Sequence, residues 1–76
     1  MNRQRRKEIK DIANQLEALM ERLEAVKEEE EEAYENLPES IQYSERGEQM
    51  EECAMALDEA VNDIDLVKDA LLEIAE

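Results

Sequence analysis

The sequence predicts an all-α fold: an antiparallel two-helix hairpin of coiled-coil type that assembles into a helical-bundle homo-oligomer. Three observations carry this. Two tyrosines are the only aromatic residues, and Gly47 and Pro38 stand alone in a chain rich in Glu, Ala and Leu, which disfavours sheet and favours helix throughout. Apolar residues recur at steps of three and four in two runs, Ile9, Ile12, Leu16, Leu19, Leu23, Val26, Ala33 and Leu37, then Met50, Cys53, Leu57, Ala60, Ile64, Val67, Leu71 and Ile74. Pro38, which cannot continue a helix, lies between them.

The first helix is predicted over about residues 3–35, with Ala13, Met20 and Tyr34 just after seam positions and widening the apolar stripe. The run Glu28 to Glu32 interrupts the stripe and puts Glu30 on the seam, where a carboxylate needs a cation, solvent or a cavity. The connector spans residues 36–44. Asn36 is suited to a left-handed helix end, Pro38 stops the helix, a short helical turn can follow, and Ser40 or Ser44 caps the next helix. The second helix is predicted over about residues 45–75. Besides its seam it carries Ala54, Ala56, Val61, Ala70 and Ala75 on flanking positions and Met55, Leu66 and Leu72 on faces that a lone hairpin leaves wet. The expectation is therefore one helical-hairpin domain over residues 1–76 that gains core by self-association, with the second helix at the centre. Cys53, at a seam position, is expected to be a small buried hydrophobe.

The net charge of −14 is unevenly placed: residues 1–10 carry +4 and the remainder −18. A hairpin turning near Pro38 would pair residues whose numbers sum to roughly 80, bringing Arg5 and Lys10 beside Asp69, Glu73 and Glu76. The basic head is thus expected to be neutralised internally, and the acidic body argues against direct contact with nucleic acid. The acids either form a solvated outer face or imitate a phosphate backbone as a decoy for a DNA-binding protein.

The polar residues nearest the turn are the candidate site. Glu30, Tyr34, Tyr43 and Arg46 are expected to form a cluster under it, either as a register-setting ion pair or as the floor of a site. Gly47, costly in a helix, signals close approach of a backbone or a ligand. With Ser44, Arg46 and the free amides of a helix start, it would suit a small anion such as a nucleotide, on whose base a tyrosine could stack. Ordinary capping and tight packing account for the same residues.

The chain has no histidine, a single cysteine and no nucleophile elbow, so the usual acid–base, thiol and zinc arrangements are missing, and no enzyme activity, cofactor or metal is expected. Glu28-Glu29-x-x-Glu32 matches half of a magnesium motif of helical nucleotide pyrophosphohydrolases, but the second half does not follow. Without a secretory or membrane-spanning apolar run, a soluble, cytoplasmic protein is expected.

The connector string NLPESIQYSERGEQMEE, with the basic start RQRRKEI, resembles short helical proteins of bacteriophages and mobile elements of Gram-positive bacteria. That resemblance implies a small accessory protein in the host cytoplasm that blocks antiviral defence by sequestering a nucleotide signal or a defence protein. A structural or adaptor coiled coil and an acidic DNA-mimic decoy are the alternatives from the residues themselves.

Overall fold

The computed structural model describes residues 1–76 as a rod of 59 × 14 × 12 Å. Three helices follow in order: α1 (Arg3–Glu35), α2 (Glu39–Gln42) and α3 (Glu45–Ile74). The two long helices fall within a residue of the predicted limits, and the short helical turn after Pro38 is present as α2.

Each long helix begins on a side-chain cap. Asn2 is extended (φ −81°, ψ 169°), and its Oδ1 accepts the Arg5 amide at 2.8 Å. Ser44, also extended, opens α3 with its Oγ accepting the Gly47 amide at 3.5 Å. The end of α1 differs from expectation. Asn36 stays right-handed (φ −81°, ψ −6°), and no residue has positive φ. The left-handed exit is not needed because α1 closes on itself, the Leu37 amide donating to the Tyr34 carbonyl at 3.1 Å. The Gln42 Nε2 then donates to the carbonyls of Tyr34 and Glu35 at 3.1 and 3.3 Å. A side chain from α2 thus satisfies the Glu35 carbonyl, which the helix end leaves open, and adds a further donor to the carbonyl of Tyr34.

The seam lies one residue away from half of its predicted positions. Ile9, Leu16, Leu23 and Leu37 are half-buried as expected, but the columns between them are Ala13, Met20, Lys27 and Tyr34, not Ile12, Leu19, Val26 and Ala33. The second helix repeats this: Met50, Leu57, Ile64 and Leu71 alternate with Ala54, Val61, Lys68 and Ala75, while of the predicted Cys53, Ala60, Val67 and Ile74 only Ala60 is half-buried. These covered positions mirror one another. Every seam residue of α1 and its connector, from Ile9 to Leu37, has a covered counterpart from Ala75 to Gly47 whose number completes a sum of 84. The cross-helix ion pairs Lys27–Asp58 and Glu17–Lys68 both sum to 85, which fixes the same register.

The physical reason is a surplus of apolar columns. Two helices can cover about two positions per heptad between them, and this sequence offers three. Packing small residues such as Ala13, Ala54 and Ala75 inside lets the helices approach, and the third column remains outside. Cys53 is accordingly exposed rather than buried.

The shift also corrects the expected neutralisation of the basic head. At sums of 84–85, Asp69 and Glu73 stand level with the turns around Leu16 and Ile12, beyond the head. Arg3, Arg6, Lys7 and Lys10 do line a concavity with Ala75 and Glu76 at the end of α3. The hairpin's ion pairs involve Lys27 and Lys68 alone, so Arg5 and Lys10 bond none of Asp69, Glu73 or Glu76.

Candidate functional site

The six residues expected around the turn divide into two groups. Ser44 and Gly47 belong to the joint between α2 and α3. The Ser44 hydroxyl donates to the Ile41 carbonyl while its oxygen accepts the Gly47 amide. Gly47 is buried, and a Cβ there would lie 2.6 Å from both the Ile41 carbonyl oxygen and the Gln42 carbonyl carbon. Close approach of backbone, one of the two explanations the sequence allows, therefore accounts for the glycine. The two donors expected to bind an anion are already engaged within the chain.

The second group is looser. Tyr43 is 77 % exposed, and Arg46 is exposed with no carboxylate within ion-pair distance, so the expected Glu30–Arg46 pair is not formed. Glu30, though on the seam, is half-buried and reaches solvent, opposite the small Ala54 in the register. Tyr34 is half-buried; its partial desolvation, with the Glu51 carboxylate and Tyr43 close by, raises its phenol above the ordinary range near 10.0. Sequence reasoning misses Glu51 because its register is about five residues short: 34 and 51 sum to 85. It misses the part of Gln42 as well, since a glutamine after a proline carries no distinctive sign of a helix-end donor.

Along the rod, the two edges of the hairpin are chemically unlike. In an antiparallel pair the residues following Leu16, Leu23, Leu57 and Ile64 share one edge, and here they are Glu17, Glu24, Asp58 and Asp65. The Lys68 ammonium reaches across the seam to Glu17 at 2.7 Å and also bonds Asp65 of its own helix at 3.0 Å, and Lys27 reaches across to Asp58 at 3.1 Å. Their stems cover the seam while the charged heads meet carboxylates, as long basic side chains do. Hydrogen bonding to Glu17 and Asp65 holds the Lys68 ammonium far above its usual range, and bonding to Asp58 raises Lys27.

Both lysines titrate higher in the folded chain than near 10.5, and Tyr34 higher than near 10.0. A raised value means stability that is complete below the unfolded value and is lost as pH rises through the folded one. The thermal midpoint should thus be insensitive to these groups at neutral pH and fall above about pH 10. Lys68→Met, which keeps the stem and removes the charge, should flatten that alkaline fall, as circular-dichroism melts from neutral to strongly alkaline pH would reveal; an equally steep fall in the variant would refute the assignment.

The other edge is apolar. Ile12, Leu19 and Val26 on α1 and Val67 and Ile74 on α3 are 48–54 % exposed, and Ala33, Cys53 and Ala60 continue the same columns. Leu19 and Val26 form, with Arg22, Leu23 and Ile64, an open groove of about 390 Å³ between the helices. Residues from both helices build this flank, and Met55, Leu66 and Leu72 of α3 are exposed on other faces, as expected for a lone hairpin.

No three carboxylates or thiols converge as a group that could hold a metal ion, and no helix is long and apolar enough to cross a membrane. In comparisons with known proteins, no family model, curated protein or solved structure matches the chain.

Proposed function

We propose that this chain is a non-enzymatic association module: an acidic helical hairpin that acts by joining copies of itself, and so whatever each copy carries, through a shared apolar flank. The observation that supports this is the contrast between the two edges. One is closed by cross-helix ion pairs, whereas the other presents Ile12, Leu19, Val26, Val67 and Ile74 about half exposed beside an open groove. A contiguous apolar column that the monomer cannot cover is the usual mark of an interface. Three apolar positions per heptad is also the pattern of a helix that contacts two neighbours in a bundle.

Binding of a nucleotide signal or a defence component at the connector has less support, because the Gly47 amide and the Ser44 hydroxyl are bonded within the chain.

Light scattering across a dilution series from high to low micromolar protein tests the proposal. The wild-type chain should weigh more than one copy, and Leu19→Glu with Val26→Glu should reduce it to a single copy while helical circular dichroism persists, since neither side chain is buried in the hairpin. A wild-type chain that stays single at the highest concentration would overturn it.

A further inference from the structure

Resting on that association, we infer that its partner is one further copy of this chain lying antiparallel, so that the basic head of each hairpin sits on the acidic turn end of the other. Two independent features of the flank and the charge point to this arrangement.

The first is size. From the open end of the hairpin to the turn, the α1 column runs Ile12, Leu19, Val26, Ala33, and the α3 column runs Ile74, Val67, Ala60, Cys53. Both taper from bulky to small toward the turn. Two copies set parallel would put bulk on bulk at one end and leave a gap at the other. Set antiparallel, Ile12 and Leu19 of one copy meet Ala33 and Val26 of the second, while Ile74 and Val67 meet Cys53 and Ala60. The interface then has even thickness, which close packing requires.

The second is charge. The head, +4 over residues 1–10, has no ion pair within its own hairpin, and the turn end carries Glu28 to Glu32, Glu35 and Glu39. Along α1 this distribution runs against the helix dipole, with cations at the amide end and carboxylates at the carbonyl end. A parallel pair would crowd head on head and turn on turn. In the antiparallel pair, where α1 residues summing to 45 are level, Lys10 lies level with Glu35 and Arg6 with Glu39 of the other copy, so each head sits in the field of the other copy's acidic turn end and like charges are kept apart. The dimer would be a four-helix bundle in which α1 faces α1 and α3 faces α3, its two-fold axis crossing near Arg22.

Spin labelling at Ser40, an exposed connector residue, in a Cys53→Ala background tests the orientation. With Leu19 against Val26 of the second copy, Ser40 lies level with Arg5 of that copy. The two labels should then be on the order of 50 Å apart, at ~1.5 Å per residue. Labels within about 20 Å, two helix diameters, in a species that light scattering shows to be a dimer would overturn the antiparallel arrangement and leave the association standing. A single copy by light scattering would overturn both, and an assembly larger than two copies would overturn the dimer.

Discussion

Replacing Met20 by alanine should lower the stability of the hairpin by about 2–3 kcal/mol, the low end of the range for emptying a core methionine. Met20 is the largest of the buried side chains, at 7 % exposed; the other buried residues are Ala13, Gly47, Ala54, Val61 and Ala75, and the larger seam residues beside them are only half-buried. The register sets it opposite Ile64, so its loss opens a gap in the middle of the rod. The walls are a single layer of side chains that can partly collapse, which is why the low end applies. In a chain of this size such a loss lowers the melting midpoint by roughly 10–20 °C, which thermal circular dichroism resolves easily, and Met20→Leu should cost less than about 1.5 kcal/mol. The informative comparison is Leu19→Ala, since Leu19 is half exposed in the hairpin. At low concentration it should cost clearly less than Met20→Ala; at high concentration, where copies associate, its cost should grow. Equal and concentration-independent costs at the two positions would show that the seam passes between them and would refute the register set by the cross-helix lysines.

That pair of neighbours also shows how much was legible in the sequence. The helical class, both long helices and the break at Pro38 followed from local chemistry, which acts over a few residues and leaves a signature at fixed spacing; the same chemistry narrowed the cap to Ser40 or Ser44 and Gly47 to backbone or ligand approach, and the structure selects Ser44 and the backbone. Choosing between Leu19 and Met20, or Val67 and Lys68, was not a local matter. Each helix carries apolar residues in three columns, and periodicity cannot say which two of three adjacent columns face the partner helix. The larger residues of the third column made it look like the seam, and Lys27 and Lys68 looked like surface. What reveals the true register is a relation between the helices, the matching of Lys27 with Asp58 and of Lys68 with Glu17 at one common sum. The same shift carried Cys53 outward, replaced the expected Glu30–Arg46 pair by Tyr34 beside Glu51, and left the basic head without its carboxylates.

Gly47→Ala should destabilise the chain by about 1–3 kcal/mol, the range for forcing an extra methyl into a filled space, although helix propensity alone would have it stabilise by about 1 kcal/mol. The opposite signs make the experiment decisive. Gly47 sits in the first turn of α3 without positive φ, so it is not needed for its backbone conformation. It is needed because the carbonyls of Ile41 and Gln42 occupy the place of its side chain, the Ile41 oxygen 2.6 Å from where a Cβ would lie. Those atoms are backbone and cannot swing aside. To admit a methyl, α2 must move away from α3, and the movement strains the Ser44 bond to Ile41 and the Gln42 bonds to the carbonyls of Tyr34 and Glu35. The damage should be local: amide exchange should speed up in residues 36–50 and change little in the middle of the rod. If instead the glycine were there to admit an anion, alanine would raise the melting midpoint and abolish binding. A stabilised Gly47→Ala chain would thus reject the packing explanation and return the connector to consideration as a ligand site.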